Sequence, residues 1–124
     1  MNTGSSTVEL MTRSLLDVFN ERDPERRAAA IREVYSPDVT FNEPADHSTG
    51  HEQLAARVQE LLDDAPGWVF RPAGDVSVNH DLGRLTWHFG ADGQPPVVTG
   101  TDVALTADGR IHSLYVFVGE APAA

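Results

Sequence analysis

The spacing of apolar positions changes partway along the chain. In residues 7–19, Val8, Met11, Leu15 and Phe19 recur at helical spacing, which predicts a helix with one buried stripe. Ser5 or Ser6 caps it, and Glu9 lies three residues after Ser6, as in a capping box. After a turn at residues 20–23, Asp23 caps a second helix with Pro24 at its first position. Ile31, Val34 and Tyr35 face the core, Tyr35 keeping a wet hydroxyl, and Pro37 ends the helix. Val39, Phe41 and Glu43 then alternate with Thr40 and Asn42, giving a short strand that stops at Pro44. Residues 45–49 read as a loop. A third helix spans 50–63 with Leu54, Val58, Leu61 and Leu62 inward, broken by Ala65-Pro66-Gly67.

Beyond that point the period falls from 3.6 to 2. Residues 68–70 and 75–80 predict one long strand bent at Pro72 and Gly74. Residues 84–89, 97–106 and 110–118 follow as strands. Asp81-Leu82-Gly83, Ala91-Asp92-Gly93 and Ala107-Asp108-Gly109 are the turns, and Gly83, Gly90, Gly93 and Gly109 read as turn glycines. Helices first and a meander afterwards predict an α+β fold: a curved antiparallel sheet folded as a cone over three N-terminal helices.

At 124 residues the chain fits one domain, with a core at about residues 7–119 and frayed ends at 1–6 and 121–124. Cys is absent, which excludes disulfides, thiolate metal sites and a cysteine nucleophile. The net charge of −10 repels a phosphate backbone, and Arg26, Arg27 and Arg32 read as a solvated helix face, so no nucleic-acid partner is expected. No apolar run is long enough for a membrane helix, and the start MNTGSSTVE lacks the features of a signal peptide, so the expectation is a cytoplasmic protein.

Strand parity selects the candidate chemistry. Glu43 ends the inward row of Val39 and Phe41, either as a pocket carboxylate suited to general-base work or as a strand end leaning into water. Asp102 stands mid-strand, where Asp is disfavoured, with Val98, Gly100 and Ala104 on its face. Those small neighbours leave open volume before its carboxyl group; the other reading ties it to the backbone or to Arg84. Trp87 and Phe89 share a face with Leu85, as core packing or as the apolar wall of a cavity. His112 shares a face with Leu114, Val116 and Val118, which brings it to a pocket or leaves it a hydrogen-bonded core or interface histidine. The five histidines show no metal-site spacing, and no phosphate-binding or nucleophile-elbow motif occurs.

The string Tyr35-Ser36-Pro37-Asp38-Val39-Thr40-Phe41-Asn42-Glu43-Pro44, with Gly50 opening a helix, resembles the nuclear transport factor 2-like superfamily. So do residues 97–102 and Asp108-Gly109-Arg110-Ile111. The nearest branches are the ketosteroid isomerase-like and SnoaL-like polyketide cyclase proteins. The resemblance implies a cystatin-like α+β barrel and a pocket for a small apolar molecule, with no cofactor or metal. It places Glu43 at the position of the family's proton-moving base and Asp102 at that of its protonated oxyanion donor. Trp87, Phe89, Leu114 and Phe41 then line the pocket. Leu15 falls where the isomerases present a tyrosine, and loss of one oxyanion donor costs about 10²–10³ in rate.

Three function classes follow. The first is a cofactor-free acid–base enzyme of isomerase or cyclase type acting on an apolar carbonyl compound. The second is a non-catalytic ligand-binding or dimerisation domain. The third resembles limonene epoxide hydrolase and needs Arg84 beside Asp102, whereas parity puts Arg84 on the other face. The resemblance also implies a homodimer through the outer sheet face, where Thr99, Thr101, Val103 and Leu105 lie beside Thr86 and His88.

Overall fold

The computed structural model describes residues 6–120, in which three helices pack against a seven-stranded sheet. The Ser5 cap and the ends expected to be frayed lie outside the described residues, except Ser6, which is fixed as the cap of the first helix. Helix α1 (Thr7–Arg13) is capped by Ser6, whose Oγ accepts the Glu9 amide at 3.1 Å. It runs on as a π-helical segment, Ser14–Phe19, closed by the Asn20 amide donating five residues back to Leu15 O at 3.1 Å. Extra residues per turn keep four-residue spacings on one face. The buried rows are therefore Leu10, Ser14, Val18 and Met11, Leu15, Phe19, and Val8, expected inside, is 48% exposed.

Helix α2 (Pro24–Val34) starts as expected, with the Asp23 carboxylate accepting the Arg26 amide. One arginine departs from the solvated face predicted for it. Arg27 is buried, its guanidinium donating to Gln59 Oε1 and to the carbonyl of Glu21. A buried cation is tolerable where its donors are satisfied in this way. Two further side chains tie the helices to the sheet. Asn20 exchanges two hydrogen bonds with the backbone of Phe70, and Arg22 donates to the carbonyls of Leu62 in the last turn of α3 (Gly50–Asp63) and of Ala65 and Trp68 beyond it.

Strand β1 (Tyr35–Asn42) begins directly where α2 ends, earlier than the alternation indicated. Pro37 does not end the helix. It sits inside β1, in the stretch where the pairing with β7 is interrupted and its missing N–H is harmless. The presumed loop at 45–49 holds a short strand, β2 (His47–Thr49), antiparallel to β1. The long bent strand is two strands, β3 (Trp68–Pro72) and β4 (Ser77–Asn79), both antiparallel to β5 (Leu82–Ala91). Gly83 and Gly90 lie within β5 rather than in turns. β6 (Val98–Ala107) and β7 (Arg110–Glu120) complete the meander. Asp108 and Gly109 both take positive φ between them, the backbone of a two-residue type I′ hairpin.

The sheet order is β2-β1-β7-β6-β5-β3. β7 pairs parallel with β1, so the curved sheet is mixed, and it does not close on itself. The fold is α+β. Among the described residues no helix is long and apolar enough to cross a membrane.

Candidate functional site

The curved sheet and the helices leave a cavity of about 240 Å³ between them. Leu15 and Phe19 enter it from the π segment, Phe41 and Glu43 from the end of β1, and Leu61 from α3. Phe70, Trp87, Phe89, Val98, Asp102, Val116 and Val118 supply the sheet side. Val118 lines the cavity yet is 52% exposed, which marks the mouth. The aromatic wall is ordered by direct pairing. Phe70 and Phe89 are opposite each other on β3 and β5 and stack at 3.9 Å, and Trp87 meets Phe70 edge-on at 5.1 Å.

Asp102 is buried and lines the cavity, with its carboxyl group tied neither to the backbone nor to Arg84. Its Oδ1 accepts the indole N–H of Trp87 at 2.8 Å. Trp87 is paired in register with Gly100, not with Asp102, so the indole reaches diagonally across β6. A Cβ on Gly100 would lie 2.2 Å from the ring, so only glycine lets the indole settle there. Burial drives the Asp102 pKa from the usual carboxylate range up to about 7, and the Trp87 hydrogen bond holds it down in part. Tyr35 lies close enough to sense that charge. Its hydroxyl is fully buried rather than wet, hydrogen-bonded to Ser14 Oγ, and burial pushes its pKa up.

Glu43 sits one residue past β1 and opens the turn that leads into β2, its amide donating to Asp46 O. Its side chain is 12% exposed and held by Arg57 of α3 through two hydrogen bonds, Nε to Oε2 at 2.7 Å and Nη2 to Oε1 at 3.0 Å. Asp46 and Glu60 also lie within 4.0 Å of that guanidinium. Arg57 was invisible to the sequence reading, because Glu43 and Arg57 are brought together only by the packing of α3 on β1. Phe70 was also missed, although its place opposite Phe89 in a hairpin is a usable signal.

Two expected pocket residues lie elsewhere. The pairing of β6 and β7 slips between Leu105 and Thr106, a bulge that resets the alternation. Ile111 and Leu114 both point inward as a result, and His112 turns out of the cavity to hydrogen-bond Ser113 Oγ. Leu114 is buried in the core but does not line the cavity; Val116 and Val118 do. Arg84 is exposed and paired with Val103, away from the cavity, so the set needed for epoxide hydrolysis is not assembled. Among the described residues no three of His, Asp and Glu gather as a metal site requires.

Asp102 links stability to pH. Its folded pKa lies above its unfolded one, so the folded state holds the proton more tightly and loses stability as pH rises from about 4 to about 7. The linked term is on the order of 4 kcal/mol. Measured by urea unfolding, the stability difference between Asp102→Asn and the parent should move in favour of the variant by a few kcal/mol between about pH 4 and pH 8. Gly100→Ala should dislodge the indole and raise the Asp102 pKa above about 7, read by carbon NMR of its carboxyl group.

The family model of the SnoaL-like domain matches residues 12–114. No curated protein is significantly similar in sequence. Among solved structures, a candidate isomerase of the SnoaL-like family from Agrobacterium tumefaciens shares 24% identity with a TM-score of 0.83, over 90% of this chain and 95% of that one. A candidate SnoaL-like polyketide cyclase from Jannaschia sp. CCS1 shares 18% at 0.73, over 94% and 90%. A protein of ketosteroid isomerase-like fold from Catenulispora acidiphila, in complex with trimethylamine, shares 18% at 0.70, over 90% and 86%. Likeness at these identities establishes the fold.

Proposed function

The chain belongs to the SnoaL-like domain family, and on that footing we propose that it is a cofactor-free acid–base enzyme of isomerase or cyclase type acting on a small apolar carbonyl compound. The observation that carries this reading is that an otherwise apolar cavity has two carboxyl groups in opposite circumstances. Glu43 is ion-paired with Arg57, whereas Asp102 faces no cation and is easily kept protonated. Environments that separate two carboxyls in this way divide the acid role from the base role.

In the proposed reaction Glu43 takes a proton from the carbon beside the carbonyl. Electron density moves to the carbonyl oxygen, and protonated Asp102 donates a hydrogen bond to it. The resulting enolate collapses by regaining the proton from Glu43 at a different carbon, which is isomerisation, or by attacking a second carbonyl carbon, which closes a ring and leaves an alkoxide that takes the proton from Glu43. Arg57 orients the Glu43 carboxylate, and each oxygen keeps a lone pair for the incoming proton. Leu15 lines the cavity without offering a hydroxyl, so Asp102 would be the sole donor to the oxygen.

Cavity size narrows the substrate. A cavity of about 150 Å³ accommodates benzene, so about 240 Å³ suits a molecule of roughly ten to twelve non-hydrogen atoms. That is a one- or two-ring ketone, smaller than a steroid. The neighbour holding trimethylamine supports use of this fold for small ligands. We assign the outer sheet face, where Tyr115 and Phe117 are exposed beside Val103, to pairing with a second copy.

β-Tetralone is a ketone of suitable size. The protein should accelerate exchange of its α-protons in deuterated water, and Glu43→Gln should reduce that acceleration by at least about 10²-fold. Exchange in Glu43→Gln at the parent rate would remove Glu43 from the base role. Sedimentation at micromolar concentration should give the mass of a dimer, and Phe117→Glu should give a monomer.

A further inference from the structure

Apart from the proton that Asp102 carries below its pKa, the polar atoms of the cavity wall offer acceptance and no spare donation. Every lining residue except Glu43 and Asp102 is apolar or aromatic, and the Trp87 indole N–H is already given to Asp102 Oδ1. The Arg57 guanidinium does not line the cavity and is turned onto Glu43, with Asp46 and Glu60 also near it. Asp102 is only 4% exposed, yet no described residue hydrogen-bonds its Oδ2. That oxygen is not sealed off either, since the only enclosed and unpartnered side-chain atom among the described residues is Ser36 Oγ. Oδ2 therefore opens onto the cavity.

Five aromatic side chains share the cavity with that oxygen: Phe19, Phe41, Phe70, Trp87 and Phe89. The negative faces of such rings attract cations, most strongly when water is excluded. A buried carboxylate without a counter-charge is costly to ionise, and a ligand carrying a positive charge removes that cost. Acceptors, π faces and missing donors together complement a molecule that is apolar over most of its surface and carries one charged N–H. An anionic ligand would meet two carboxyl groups and no free cation.

We propose that the cavity recognises a small apolar amine in its protonated form, a tertiary amine on a one-ring hydrocarbon frame. Its N–H donates to Asp102 Oδ2, and its carbon groups pack on the aromatic wall. This concerns equilibrium binding and does not rest on proton transfer by Glu43. Binding draws Asp102 into its ionised form, so affinity rises as pH rises through about 7. In register Asp102 is flanked by Leu85 on β5 and Val116 on β7, neither titratable. The ionisable group near enough to sense its charge is Tyr35, whose buried phenol stays protonated, and the other carboxyl group lining the cavity is Glu43, already paired with Arg57.

The test titrates N,N-dimethylbenzylamine and its neutral isostere isobutylbenzene into the full chain at about pH 8 and about pH 5.5, read by NMR. At the higher pH the amine should bind at least about tenfold more tightly than the hydrocarbon, and the advantage should shrink at the lower pH. Asp102→Asn should bring the amine to the level of the hydrocarbon and leave the hydrocarbon unchanged. Equal affinities at the higher pH, or an amine preference that survives Asp102→Asn, overturns the proposal. Should that variant not fold, the parent protein decides: the amine's advantage over the hydrocarbon must shrink from the higher pH to the lower, and an advantage that does not change with pH also overturns the proposal. Absence of an amine preference in the parent protein would not bear on its β-tetralone exchange, and absence of exchange would not bear on the amine preference, so the two readings fail separately.

Discussion

Trp87 lies against Gly100 and gives its indole proton to Asp102, and much of the molecule is arranged around that diagonal contact. The indole bridges β5 and β6 across the inner face of the sheet, which a side chain at position 100 would prevent. Among the described residues it supplies the only side-chain hydrogen bond to a carboxyl group that has no cation beside it. The same ring is the edge-on neighbour of Phe70, whose backbone is bound by Asn20 at the end of the π segment. One contact thus connects the helical layer, the edge strand β3 and the buried acid.

The cavity is held open by residues that do not themselves reach it. Arg22 occupies carbonyls in the last turn of α3 and just past it, and buried Arg27 joins α2 to α3 through Gln59. With both helix junctions fixed, the aromatic wall is not free to collapse into the space. The π segment contributes by widening the first helix, so that Leu15 and Phe19 share one inward face. Segments of this kind are common near functional sites for that reason.

The two carboxyl groups show how one cavity can hold unlike electrostatic environments. Glu43 lies near the rim, where a helix supplies an arginine and part of the solvent remains. Asp102 lies deeper, where desolvation outweighs its single hydrogen bond. An uncompensated buried acid costs stability above its pKa, and such a cost is characteristic of a site kept for chemistry or binding rather than for folding.

The sequence by itself determined that the helices precede the meander, the turns at 91–93 and 107–109, and the face on which Asp102, Trp87 and Phe89 stand; the first turn falls at His80 and Asp81, not at 81–83. Those features depend on periods of 3.6 and 2 and on local turn chemistry, all carried within a few residues. The partner of Asp102 was undecided until the register of β5 against β6 set Trp87 beside Gly100. The arginine on Glu43, the strand at 47–49 and the parallel pairing of β1 with β7 depended on contacts between distant segments. His112 shows the limit of parity, since one bulge between β6 and β7 turned it out of the cavity its neighbours approach. Alternation places a side chain on a face only while the ladder is unbroken, and whether it is broken is settled by the pairing strand.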